Sequence, residues 1–136
     1  MKLTEEIIVH MLDTALSKGR DLGILISVAV VDAGGHLLGF RRHDNAEIVS
    51  IRLAQDKAYT ALVNRMATDK LGELCRPGAE LYGLQFNLDG RMVIFGGGIP
   101  IWNESNELIG AIGVSGGTTN EDIECAEHAI TKALEL

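Results

Sequence analysis

Ile24-Leu25-Ile26-Ser27-Val28-Ala29-Val30-Val31-Asp32-Ala33-Gly34-Gly35-His36-Leu37-Leu38-Gly39-Phe40-Arg41-Arg42 is the stretch that decides the fold class. Ile24 to Val31 is short and rich in β-branched residues, which suits a buried strand. Asp32-Ala33-Gly34-Gly35 is a turn, and His36 to Arg42 returns as the partner strand of a hairpin. The run is far too short for a membrane span and is interrupted by Ser27.

Working outward, Thr4 caps a helix whose first turn carries Glu5 and Glu6, where the helix dipole favours them. Ile7, Ile8, Met11, Leu12, Ala15 and Leu16 fall on one helical face, and Gly19 or Gly23 ends it. Beyond the hairpin, Ala46 to Met66 is helical, with Ile51, Ala54, Ala58, Ala61 and Leu62 as the apolar stripe. Thr68 to Leu74 is a short extra helix before Pro77-Gly78. Leu81 to Phe86 carries no decisive pattern.

Three strands are expected next: Arg91 to Phe95, Ile99 to Trp102 and Glu107 to Val114, the first two separated by Gly96-Gly97-Gly98. Thr118-Thr119-Asn120-Glu121 is a capping box opening a last helix with Ile123, Ala126, Ile130, Ala133 and Leu134 on one face. The expectation is therefore one α+β domain over residues 1–136. Its layout is an antiparallel five-stranded sheet with packed helices, in the order α-β-β-α-β-β-β-α.

The formal net charge is −7 over 136 residues and the basic residues are scattered, with only Arg41-Arg42 adjacent, which argues against a nucleic-acid partner. The N-terminus shows no apolar signal core, and Cys75 and Cys125 form no CxxC pair. Both read as reduced thiols of a cytoplasmic protein.

Chemistry-bearing residues are few. His10 lies roughly 150° from the apolar centre of the first helix, as a solvent or oligomer-interface residue. His36 and His43 bracket the second strand and point to opposite faces, so each is a candidate for a single axial or hydrogen-bonding contact. His128 shares a helical face with Glu121 and Glu124, and a solvated charged face is the favoured reading. No HExxH, CxxC pair or calcium loop is present. Ser115 does not sit in a GxSxG elbow, and nothing places a base beside Cys75.

The glycine clusters carry more. Gly96, Gly97 and Gly98 mark a bulge or a place where another group comes close. Ser115, Gly116, Gly117 and Thr118 lead from a strand into a helix N-terminus, which offers backbone N–H groups to a carboxylate or phosphate. Two tight turns are the alternative.

Val31-Asp32-Ala33-Gly34-Gly35-His36, Phe40 to Asp44, Asp56 to Ala61, Pro77-Gly78, Leu81-Tyr82-Gly83, Phe95 to Pro100 and Ile109 to Gly117 together resemble the GlcG/HbpS-like family. That family also supplies the C-terminal domain of PduO-type cobalamin adenosyltransferases. The stretch Leu81 to Gln85 looks most like stand-alone members found beside glycerol and diol dehydratase genes. The resemblance covers essentially the whole chain. It implies a profilin- or PAS-like layout, homo-oligomers, and haem or corrinoid binding in some members; His43 stands where the motif often has methionine.

Three functional expectations follow. One is a tetrapyrrole-binding accessory or sensor protein, with an apolar sheet face, a histidine and the Ser115 to Thr118 turn holding the ligand. Another is a homo-oligomeric interaction module docking on a partner enzyme, because Leu53 and Val63 lie off the main stripe of the long helix. The third is a small-molecule enzyme using Asp32, Glu47 or Lys57.

Overall fold

The computed structural model describes all 136 residues. Helix α1 spans Glu5–Asp21 and is capped by Thr4, whose Oγ1 accepts from the Ile7 amide at 3.2 Å. Strands β1 (Ser27–Asp32) and β2 (Leu37–Arg42) form the hairpin, followed by α2 (Ile48–Asn64) and α3 (Thr68–Leu74). Two short 3-10 turns, Leu84–Phe86 and Leu88–Gly90, precede β3 (Gly98–Trp102), β4 (Leu108–Ser115) and α4 (Thr119–Leu134). The capping box of α4 is formed as the sequence predicts.

The sheet is antiparallel with spatial order β2-β1-β4-β3, so the hairpin strand β1 and the last strand β4 lie at its centre. Both faces are covered. Val28, Val30, Ile112 and Val114 join α1 and α4 in the larger core, while Val31 and Ala111 pack on Ala58, Ala61 and Leu62 of α2. A strand buried on both faces has no polar side to alternate with, which is why β1 reads as a continuous apolar run. Helix α2 can lie close on β4 because Gly113 has no side chain; a Cβ there would sit 2.1 Å from the Ala54 carbonyl oxygen. No helix is long and apolar enough to cross a membrane.

The sheet has four strands, not five, and the element order is α-β-β-α-α-β-β-α. Arg91 to Phe95 is irregular. Leu88, Asp89 and Gly90 all have positive φ and wind the chain into turns just before it. Its backbone is then captured by a helix side chain: the Val93 amide donates to Thr60 Oγ1 at 3.0 Å, and that hydroxyl faces the Arg91 carbonyl at 3.1 Å. Met92 and Val93 are buried without joining a ladder, so the apolar content that suggested a strand is satisfied by α2 instead.

Candidate functional site

The two glycine clusters meet at one seam. Gly98 stands opposite Gly113 in the β3–β4 ladder, and the Val114 amide donates to the Gly97 carbonyl at 2.9 Å. Beneath them lies Lys57 of α2, only 1% exposed. Its ammonium donates to the Val114 carbonyl at 2.9 Å and to Asp122 Oδ2 at 3.0 Å. Burial pushes the Lys57 ammonium down and the Asp122 carboxyl up from their ordinary values, and each partner's charge opposes the other's shift. The pair pins α2 and the start of α4 to the end of β4.

This seam is filled by the protein itself. A Cβ on Gly97 would meet Val114 O at 2.4 Å and Lys57 Nζ at 2.8 Å; one on Gly98 would meet Lys57 O at 2.3 Å; one on Gly116 would meet Leu25 O at 2.1 Å. The anion seat expected at Ser115, Gly116, Gly117 and Thr118 exists, but the chain supplies its own anions. The Gly117 amide donates to Asp122 Oδ1 at 2.8 Å and the Thr118 amide to Glu121 Oε1 at 2.9 Å. Ser115 is buried. The glycines there serve close packing around a buried ion pair, and only Gly96 of the two clusters reaches a cavity.

The histidines are dispersed. His43 is buried with both ring nitrogens engaged: Nδ1 accepts from the Ile26 amide at 2.9 Å and Nε2 lies 3.0 Å from the Leu16 carbonyl, to which it donates. Burial holds its pKa below the usual value, so it is a neutral structural strut with no nitrogen to offer a metal. His36 is exposed in the hairpin turn, its Nδ1 3.2 Å from Asp32 Oδ1. His10 is half-buried beside α4, because α4 packs along the flank of α1 that the apolar periodicity left uncovered. His128 does not converge with Glu121 and Glu124: Glu121 is spent in the capping box and Glu124 pairs with Lys18 at 3.5 Å. None of these histidines lines the cavity that Gly96 opens into.

That cavity is a cleft of about 600 Å3 between α3, the N-terminus of α4 and the irregular segment around residues 75–96. A volume of this size accommodates a small organic ligand or cofactor. Its apolar lining is Pro77, Ile94, Phe95 and the ring of Tyr82; its polar lining includes Asp69, Glu73, Arg76, Gln85 and Thr119. Tyr82 is 54% and Phe95 45% exposed. The Lys57 ammonium lies over the Phe95 ring, 5.1 Å from its centroid, a cation–π contact that joins cleft to seam. Cys75 also borders the cleft, but it is buried and its thiol is pushed up from the ordinary value, so it presents no thiolate. The Cys125 thiol, pushed up to about 12 chiefly by burial, is equally inert.

Sequence reading missed the cleft because its residues follow no period. One signal was available: of three phenylalanines, two tyrosines and one tryptophan, Tyr82, Phe86 and Phe95 fall in this single irregular segment. Tyr82 and Phe86 meet edge-to-face with centroids 6.5 Å apart. Asp32, Glu47 and Lys57 stand in three separate places: the hairpin turn, the N-terminal end of α2 and the buried seam. They form no joint acid–base site.

The family model described as "Haem degrading protein HbpS-like" matches residues 3–131, and the chain belongs to that family. It is 41% identical over 120 residues to an uncharacterised 15.0 kDa protein of the dhaT-dhaS intergenic region of Citrobacter freundii, covering 88% of this chain and 84% of that one. It is 40% identical over 116 residues to the corrinoid adenosyltransferase PduO of Salmonella typhimurium, covering 85% of this chain but only 34% of that protein. Among solved structures, a PduOC:heme complex superposes with a TM-score of 0.92 at 36% identity, covering 96% of this chain and 94% of that one.

Proposed function

As an HbpS-like protein with this cleft, the chain is, we propose, a haem-binding accessory protein that holds the tetrapyrrole beside Gly96. The observation that carries the reading is the chemistry of the cleft lining. Phe95, Ile94, Pro77 and Tyr82 offer an apolar and aromatic surface for a macrocycle, and Arg76 is the one cation among the lining residues. A propionate would be held by Arg76 and turned away by Asp69 and Glu73. The Tyr82 phenol would hold the iron; phenolate is an established haem ligand, whereas the buried Cys75 thiol is not in the form that ligates. Bound haem would supply a redox-active iron, while these side chains orient it and limit water at its face. The PduOC:heme complex supports the reading through its likeness to this chain. A corrinoid is the second candidate ligand, and a role in glycerol or diol metabolism belongs to the same proposal.

Haemin titrated into the purified chain should give a saturable one-to-one Soret shift. Tyr82→Phe should weaken binding at least tenfold and alter the spectrum, and His36→Ala should do neither. An unsaturable shift indifferent to Tyr82→Phe would sink the reading. Saturation by cob(II)alamin and not by haemin would transfer the cleft to a corrinoid.

A second reading, the interaction module, is favoured by a separate observation. Leu3, Ile8, Val9, Leu12, Leu38 and Phe40 line a groove of about 430 Å3 between α1 and the edge strand β2, with Val9 57% exposed. An apolar groove beside an unpaired strand edge suits a second copy of the chain. Val9→Asp should then lower the molar mass measured by light scattering; a monomeric wild type would dismiss this reading.

A further inference from the structure

Helices α1 and α4 pack side by side, joined by their buried apolar faces and by the Lys18–Glu124 ion pair at 3.5 Å. Along this contact runs a further cavity, of about 340 Å3, on a different part of the molecule from the Gly96 cleft. His10, Asp13, Thr14, Ser17, His128 and Lys132 line it, and none of them is apolar.

One atom of a lining residue is unusual. Nε2 of His10 is buried with no hydrogen-bond partner, and it is the one buried side-chain nitrogen or oxygen in the chain in that position. Buried polar groups are otherwise paired, because an unpaired one forfeits its interaction with water and gains nothing. His128 brings a second imidazole to the same groove from the other helix. The charged neighbours are engaged elsewhere: Asp13 pairs with Arg41, and Lys132 pairs with Glu135 at 3.3 Å. The groove thus holds two imidazoles on two helices fixed by a shared core, with hydroxyls at Thr14 and Ser17 on the same face of α1.

We propose that the α1–α4 groove binds a divalent transition metal of the zinc, nickel and copper group, through one ring nitrogen each of His10 and His128. Imidazole suits these borderline ions, whereas calcium and magnesium require an oxygen cage that is absent here. No cluster of three or more His, Cys, Asp or Glu ligands exists in the chain. The site is therefore open, its remaining positions taken by water or the Thr14 and Ser17 hydroxyls, and it does not hold the fold together as a closed structural zinc site does.

The test is calorimetric titration of the whole chain with ZnCl2, NiCl2 or CuSO4. One ion per chain should bind, with at least tenfold weaker binding in His10→Ala and in His128→Ala and no change in His36→Ala, which removes an exposed histidine outside the groove. Electron paramagnetic resonance of the Cu²⁺ complex should show two nitrogen donors in the wild type and one in each single variant. Should His10→Ala misfold, His128→Ala decides alone. Absence of saturable binding at millimolar metal, unchanged affinity in His128→Ala, or an equal loss in His36→Ala would overturn the proposal. Haemin titration of His128→Ala should match the wild type, which separates this site from the Gly96 cleft.

Discussion

The seam beneath β3 and β4 and the cleft beside it share Gly96 as a border, yet they solve opposite problems. In the seam Gly97, Gly98, Gly113 and Gly116 let backbone meet backbone, and the space left over is filled by Lys57 and Asp122. In the cleft the chain leaves aromatic rings half exposed and a cavity unfilled. Glycine enrichment is thus a sign of close approach, and the approaching groups here are the protein's own: α2 at Gly98 and Gly113, Val114 at Gly97 and Leu25 at Gly116. What marks the open site is unspent surface: beyond the Lys57 contact of Phe95 and the Phe86 contact of Tyr82, both rings keep about half their area exposed around a cavity that Arg76 also lines.

The largest effects should come from breaking the seam. Lys57→Ala leaves the Asp122 carboxylate buried without its cation, which should cost about 3–5 kcal/mol in urea unfolding. The double variant Lys57→Met, Asp122→Leu should recover most of that loss, because the desolvation of both charges disappears with them. A single-variant loss below about 1 kcal/mol would mean that the seam is far wetter than its burial implies.

A smaller effect is expected at His43, another strut of the closed region. Its folded pKa lies below the ordinary 6.5 because burial disfavours the imidazolium. An unfolded chain therefore takes up this proton first as the pH falls. The stability His43 contributes is full above 6.5 and is lost as the pH drops from there through the lowered folded value. Urea midpoints measured between neutral and mildly acid pH should fall accordingly, and His43→Gln should remove that part of the slope. Identical slopes in the two proteins would show that the imidazole is not held neutral.

The smallest structural effects belong to the cleft. Arg76→Ala should leave stability within about 0.5 kcal/mol, as for a surface residue away from packed features. It should nevertheless weaken haemin binding several-fold by removing the cation a propionate needs. Loss of stability in Arg76→Ala would blur the distinction between closed seam and open cleft.

Much of the fold was legible. The helices α1, α2 and α4 announce themselves by apolar stripes, and α1 and α4 also by their Thr4 and Thr118 caps; the hairpin does so by the turn at Asp32 to Gly35. Arg91 to Phe95 was misread because its composition is strand-like while its conformation is set by Thr60, thirty-odd residues away, and by three left-handed residues before it. The candidate site was less legible for the same reason. Ser115 to Thr118 does form an anion seat, but that Asp122 and Glu121 fill it is visible only once α4 is folded. His43 was read as a candidate for one axial or hydrogen-bonding contact, and that Leu16 and Ile26 occupy both of its nitrogens is visible only in the folded chain. Tyr82 and Arg76 lie in a segment with no period, where only the gathering of aromatics hinted at a cleft.

The most direct test is a crystal structure of the chain grown with haemin. The macrocycle should lie beside Gly96, stacked on Phe95, with the iron on the Tyr82 oxygen and a propionate on Arg76. Iron ligated by His10 or His36, or a macrocycle seated away from the Gly96 cleft, would contradict it.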